Sequence, residues 1–292
     1  MKVISTINTE LVRKTAKSFG VKPLKPFYTE FNDGEPYLRL ENNFKNENII
    51  VIQCLSKPIS QNLIRLFLLL EALSRQKPKN IILVLSFCAF RRQDKIVKRG
   101  EGVPLQMLFR LLAIFPIKKI ITIDLHSVKS LPSIVYNIET TTLFAEYFGN
   151  KKIDLVLSPD EGSINRCEKL AKLLKSQMRF VKKHREGYKI ILQKCSFLKE
   201  HKLLKQCRSI LIYDDEIDTG NTILKLMNLL PKSSKIYIAA SHGVFSKINR
   251  KIFKRAAEVC ITNSIPQHFS FPNLKILSIH EIIYDCIKNQ LK

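Results

Sequence analysis

Short runs rich in Val, Ile and Leu alternate with stretches whose apolar residues recur every three or four positions, through the whole chain. The first kind predicts strands: Val3–Ile7, Asn48–Leu55, Asn80–Phe87, Lys119–Leu125, Ile153–Leu157, Arg208–Tyr213, Lys235–Ala240, Glu258–Thr262 and Leu274–Ser278. The second kind predicts helices between them. Ile59–Gln76 carries its apolar residues at 59, 63, 66, 67, 70 and 73, a stripe along one helical face. Thr9–Phe19 opens on a Thr cap and stops at Gly20. Val103–Phe115, Ile164–Leu174, Thr222–Leu230, Lys247–Ala257 and Glu281–Leu291 complete the set. The strand runs are almost continuously apolar, as strands covered on both faces are. Strand and helix in alternation predict an α/β protein built on parallel sheets with helices on both sides.

Two segments break the alternation. Phe27–Phe31 and Pro36–Leu40 are extended runs around Asn32-Asp33-Gly34, a strong hairpin signal because Asn, Asp and Gly tolerate the turn's positive φ. A second pair is predicted over Met178–Lys183 and Tyr188–Lys194, joined by a charged tip. The 292 residues suit two domains. With no Gly/Ser- or Pro-rich linker, the boundary is placed within Ser130–Glu146, giving domains 1–140 and 141–292 with similar element order.

Composition adds limits. No apolar run is long enough to span a bilayer, and the first residues carry no signal-peptide core, so a cytoplasmic protein is expected. Seven cysteines without a CxxC pair support neither a disulfide framework nor a zinc site. The formal net charge of +24 allows nucleic-acid binding or attraction of polyanionic substrates. The lysines are spread over nearly every loop and helix, without a basic tail or an aromatic-interleaved stripe. A lysine-rich solvated surface is the first reading of that charge, substrate steering the second, and nucleic acid is not the expected partner.

The chemistry concentrates where the strand ending at Tyr213 runs into Asp214-Asp215-Glu216-Ile217-Asp218-Thr219-Gly220-Asn221-Thr222 and then a helix. Open α/β sheets bind ligands at the carboxyl ends of their strands. The stretch Asp218, Thr219, Gly220, Asn221, Thr222 places backbone N–H groups and two hydroxyls at a helix N-terminus, which suits a phosphate group. Asp214 and Asp215 are placed to accept hydrogen bonds from the vicinal hydroxyls of a ribose.

This loop resembles the phosphoribosyl signature of the type I phosphoribosyltransferase fold. Four further motifs resemble the ribose-phosphate pyrophosphokinase family in particular. Phe31-Asn-Asp-Gly-Glu35 is similar to the family's hairpin that holds the ATP base across a subunit contact, which implies ATP contacts for Phe31, Asp33 and Glu35. Phe90-Arg-Arg-Gln-Asp-Lys95, with Gly100-Glu101 beyond it, resembles the A-R-Q-D-K loop and implies ATP contacts for Arg92, Gln93 and Asp94. Ile123-Asp-Leu-His126 resembles D-L-H, whose His binds the Mg²⁺ of Mg-ATP, and Leu157-Ser-Pro-Asp-Glu-Gly162 resembles S-P-D-A-G-G, whose Asp is the other metal ligand. His126 and Asp160 are the residues so implied. Lys183 and Arg185 match the K-x-R pair of the family's catalytic flexible loop, with Lys182 leaving the register open by one.

The resemblance covers almost the whole chain and implies two similar domains, transfer of pyrophosphate from Mg-ATP to ribose 5-phosphate, and a homo-oligomer, dimer or hexamer. There are departures. Glu161 and Ser163 stand for small Ala and Gly, Asn221 for a second Gly, and Glu216 for an apolar residue. A phosphoribosyltransferase that consumes the product would explain the Asp214–Thr222 loop but not the N-terminal motifs. A non-catalytic regulatory homologue would not need Lys183, Arg185, His126 and Asp160.

Overall fold

The computed structural model describes residues 1–292 except 8, 127–130, 182, 187–188, 193–205 and 292, and describes 183–186 and 189–192 by their backbone alone. It falls into two compact units, one of residues 1–138, 264–266 and 278–292, the other of 139–263 and 267–277. No described helix is long and apolar enough to cross a membrane.

The first unit carries a six-stranded sheet from β1 (Lys2–Ile4), β2 (Pro23–Leu24), β5 (Asn48–Cys54), β6 (Asn80–Phe87), β7 (Ile117–Ile123) and β8 (Val135–Ile138). Its spatial order is β2-β1-β5-β6-β7-β8, and neighbouring strands run parallel. The helices are α1 (Glu10–Ser18), α2 (Ile59–Arg75) and α3 (Pro104–Leu112). Thr9 caps α1 by accepting from the Val12 N–H, as the sequence predicts. One face of the sheet buries Ile49, Val51, Leu83 and Leu85 against Leu66, Leu70 and Leu73 of α2 and Leu108 and Phe109 of α3. Each such side chain contributes on the order of 1.5–3 kcal/mol.

The second unit repeats the wiring. Its strands are β9 (Leu155–Ser158), β10 (Gln177–Phe180), β13 (Ser209–Ile217), β14 (Lys235–Gly243), β15 (Glu258–Thr262) and β16 (Leu274–Leu277). They lie in the order β10-β9-β13-β14-β15-β16, again parallel. Between and before them run α4 (Thr141–Phe148), α5 (Ile164–Leu174), α6 (Asn221–Leu229) and α7 (Lys251–Arg255). Successive residues feed opposite faces. Leu155, Leu157, Ile210 and Ile212 pack under α6 and α7, whereas Val156, Leu211 and Tyr213 pack under α4 and α5.

Several expectations need correction. Met178–Lys183 does not form a hairpin with Tyr188–Lys194: β10 is the edge strand of the main sheet, paired in parallel with β9. The hairpin instead joins β11 (Lys183–Glu186) to β12 (Lys189–Leu192), with Lys183 opposite Leu192 and Arg185 opposite Ile190. Lys183 and Arg185 therefore lie along a strand rather than on a tip, and Lys182 is outside the described residues. The boundary region Ser130–Glu146 contains β8 and the start of α4, whose Phe144 and Phe148 are fully buried. The last helix, α8 (His280–Leu291), groups with the first unit rather than the second, with Tyr284 4.7 Å from the Phe19 ring. Helix α7 is much shorter than Lys247–Ala257. The Asn32-Asp33-Gly34 turn is as predicted: it joins β3 (Phe27–Glu30) to β4 (Pro36–Arg39), and Gly34 has φ +87°.

Candidate active site

In the second unit the strand order reverses between β9 and β13, so the loops leaving their carboxyl ends diverge to opposite faces and open a crevice. Both loops are rich in polar groups. β9 ends at Ser158, whose hydroxyl donates to the Asp160 carbonyl at 2.6 Å. The Asp160 carboxylate then accepts from the Ser163 N–H at 3.2 Å and caps a short 3₁₀ turn leading into α5.

β13 pairs with β9 only as far as Ile212 opposite Leu157, but with β14 as far as Ile217 opposite Gly243. The acids expected beyond the strand are thus part of it, in a projecting end supported from one side. Asp215 is buried and Asp214 half-buried. The Asp214 carboxylate accepts from the Ser163 hydroxyl at 2.6 Å and from the Asp215 N–H at 2.9 Å, both on Oδ1. Burial, then the charges of Asp215 and Asp160, push its carboxyl well above the ordinary range, while those two donors pull it down. Beneath it the Cys167 thiol donates to the Tyr213 carbonyl, and burial pushes that thiol up to about 12. It is a packed side chain rather than a nucleophile.

The following loop is held from behind. Ser246 donates to the Asp218 carboxylate through its N–H at 3.1 Å and through its hydroxyl. Asn249 donates its N–H to the Thr219 carbonyl at 2.9 Å and its side-chain amide to Asn221 Oδ1 at 3.2 Å. Gly220 has φ +72°, and a Cβ there would sit 3.1 Å from Ile248 and 3.3 Å from Ile252. Glycine is required twice over, by the left-handed backbone and by close packing. It precedes α6, where Gly220 at the cap supplies no side chain and the Thr219 hydroxyl accepts from the Asn221 N–H at 3.4 Å. Asn221, Thr222 and the first-turn amides thus lie at the positive end of the helix dipole. Ser163, Ser246 and Asn249 were not legible as site residues: each is an ordinary polar residue distant in sequence from the loop it holds.

The first unit holds the other predicted residues. On the β3–β4 hairpin Phe31 is 55% exposed and meets the Tyr37 ring edge-on at 5.7 Å. Its N–H donates to the Glu35 carbonyl at 2.8 Å, and Asp33 accepts from the Glu35 N–H at 3.1 Å. In the loop after β6, Arg92 and Gln93 are exposed while Arg91 turns inward. Asp94 is nearly buried and lies 3.6 Å from Nδ1 of the exposed His126, which follows β7.

Among the described residues, no three His, Cys, Asp or Glu side chains converge to cage a metal. A cation such as Mg²⁺ keeps waters and substrate oxygens in its shell, so a single carboxylate such as Asp160 fits it without a protein cage.

Twice-used parallel topology, with an acidic strand end and a Gly-capped helix at one switch point, defines the type I phosphoribosyltransferase-like class. Residues 1–115 match the model of the N-terminal domain of ribose phosphate pyrophosphokinase. The ribose-phosphate pyrophosphokinase of Pyrococcus abyssi is 31% identical, over 82% of this chain and 84% of the relative. That of Bacillus caldolyticus is 26% identical over 96% and 91%. The crystal structure of phosphoribosylpyrophosphate synthetase from Mycobacterium smegmatis superposes with a TM-score of 0.87 at 26% identity, covering 99% of this chain and 98% of that one. The chain belongs to the ribose-phosphate pyrophosphokinase family.

Proposed function

We propose that the chain transfers the β,γ-pyrophosphoryl group of Mg-ATP to the 1-hydroxyl of ribose 5-phosphate, releasing AMP. The observation that carries this is the second unit's switch point, where carboxylates, hydroxyls and a glycine-capped helix N-terminus share one strand–loop–helix segment. These groups have separate duties. The first turn of α6, with Thr219 and Thr222, takes the 5-phosphate through neutral donors and the helix dipole. Asp214 and Asp215 accept from the ribose hydroxyls and fix the ring, so that the 1-hydroxyl is aimed rather than tumbling.

The ATP base is assigned to Phe31 and the hairpin turn, with Asp33 and Glu35 as its polar partners, and the phosphates to Arg92 and Gln93. An exposed ring suits base stacking, and exposed cationic and amide groups suit phosphate oxygens. Asp94 serves by orienting His126. His126 and Asp160 would hold Mg²⁺, which when bound screens the phosphate charge and aligns the β-phosphorus. Lys183 and Arg185 are assigned the charge that builds on the transferring group. The 1-hydroxyl attacks phosphorus in line, its proton is lost to solvent, and the bond to the AMP oxygen breaks. We further propose a cytoplasmic homo-oligomer in which the hairpin meets a second copy.

Purified protein incubated with ATP, ribose 5-phosphate and MgCl₂ is expected to form AMP and 5-phosphoribosyl 1-pyrophosphate in equal amounts. Omitting either ribose 5-phosphate or Mg²⁺ is expected to abolish both. AMP formed without the sugar phosphate, or release of ADP in its place, overturns the assignment.

A further inference from the structure

Resting on that function, we propose that Ser163 is a positioning residue that selects which oxygen of Asp214 meets the ribose. Both donors to this carboxylate converge on one atom. The Ser163 hydroxyl reaches Oδ1 at 2.6 Å and the Asp215 N–H reaches the same Oδ1 at 2.9 Å. Among the described residues no donor reaches Oδ2. A carboxylate held by two donors on one oxygen cannot swing about its terminal bond without breaking both, so Oδ2 is the atom presented to a ligand.

Ser163 is itself fixed. It is buried, and its N–H donates to the Asp160 carboxylate at 3.2 Å. One residue therefore ties the loop after β9 to the acid on β13, on the side where β13 has outrun its neighbour. Without the hydroxyl, the Asp215 N–H alone would define the carboxylate's rotation, and Asp214 would lose its side-chain tie to the β9 loop. Glycine at this position, the residue implied by the family pattern, has no atom to make the contact. The clamp belongs to this chain's own sequence.

The test uses the full-length protein with Ser163→Ala, which deletes the hydroxyl and leaves a side chain small enough for the buried site. Binding of ribose 5-phosphate is measured by calorimetry without ATP, alongside the KM for ATP and the melting temperature. Affinity for ribose 5-phosphate is expected to fall about five- to tenfold, the ordinary net worth of one hydrogen bond, because Ser163 orients Asp214 without itself touching the ligand. The KM for ATP and the melting temperature are expected to stay near wild type. Specificity gives the readout that a merely structural role would not move. Wild type is expected to discriminate against 2-deoxy- or 3-deoxyribose 5-phosphate, whichever lacks the hydroxyl that meets Asp214, and Ser163→Ala is expected to lose most of that discrimination. Unchanged affinity and discrimination in the variant overturn the role of Ser163 alone. Parallel losses for both substrates with a lowered melting temperature also overturn it, in favour of a structural role. No binding of ribose 5-phosphate by wild type overturns the assigned function and the inference with it.

Discussion

The two units are wired alike and do different things with the wiring. Each sheet places its second strand outside its first and its third on the other side, and each inserts a hairpin between the second strand and the third. The segment after the third strand is where they part. In the second unit β13 projects beyond β9 with Asp214, Asp215 and Glu216, then turns through Gly220 into α6. In the first unit β5 ends at Cys54, and Leu55-Ser-Lys-Pro58 leads into α2 without an acid or a glycine. Buried Gln53 accepts there from the Thr6 hydroxyl at 2.8 Å, a neutral tie between the first and third strands where the second unit has Ser163 and Asp214. One scaffold thus carries the loop proposed to hold a sugar phosphate in one copy and a neutral polar contact in the other. Function sits in the loops grafted on the fold, not in the fold.

The hairpins give the largest expected contrast. Lys183→Ala in β11 is expected to lower turnover at least a hundredfold, a barrier increase of roughly 2.7 kcal/mol, with substrate affinities little changed. Lys182→Ala should be mild. A critical Lys182 beside a dispensable Lys183 in steady-state kinetics would move the assignment by one residue.

Next comes the cradle. Thr222→Val preserves shape and removes one donor to a charged phosphate, so apparent affinity for ribose 5-phosphate should fall by about 1.5–3 kcal/mol. The KM for ATP should hold. Equal weakening of both substrates would mean that the α6 N-terminus is not a dedicated sugar-phosphate site.

Glycine replacement separates the units in stability. Gly220→Ala combines a disfavoured φ with Cβ contacts to Ile248 and Ile252, whereas Gly34→Ala in the first unit's hairpin meets nothing within 4 Å. Both should lose on the order of 1 kcal/mol for the dihedral, and Gly220→Ala a further amount for overpacking. Denaturant titration that ranks Gly34→Ala as the worse change would contradict the packing described for the cradle.

The smallest effect runs the other way. Asp214→Asn should raise the melting temperature slightly while weakening ribose 5-phosphate. The folded state pushes this carboxyl above its ordinary 3.8 through burial and the neighbouring Asp215 and Asp160 charges. The folded chain then holds a proton that the unfolded chain has released, so wild type loses stability as pH climbs from 3.8 through the folded value. The variant's advantage should appear over that window, persist above it and vanish in acid. A constant difference at all pH values, followed by thermal melts, would point to a cause other than charge crowding.

The sequence alone determined what is local. β6, β15 and α5 have the predicted bounds, because a continuous apolar run or a helical stripe commits a segment to one backbone whatever surrounds it. The Asn32-Asp33-Gly34 turn and the Asp218–Thr222 loop were legible for the same reason: positive φ and a helix start demand particular residues in a row. What joins distant residues was decided only by the tertiary structure. Phe144 and Phe148 stand one helical turn apart, yet they read as part of a connection until the sheet they cover is in place. The extended character of 177–180 was visible, but its partner was not: a strand's hydrogen bonds are satisfied equally by a hairpin mate or a parallel neighbour, and packing selects between them. The last helix groups with the first unit, since an amphipathic face does not name the surface it covers. Ser163 became a site residue only when β9 and β13 were brought side by side, because a hydroxyl acquires a role from the carboxylate 2.6 Å away and not from its neighbours in sequence.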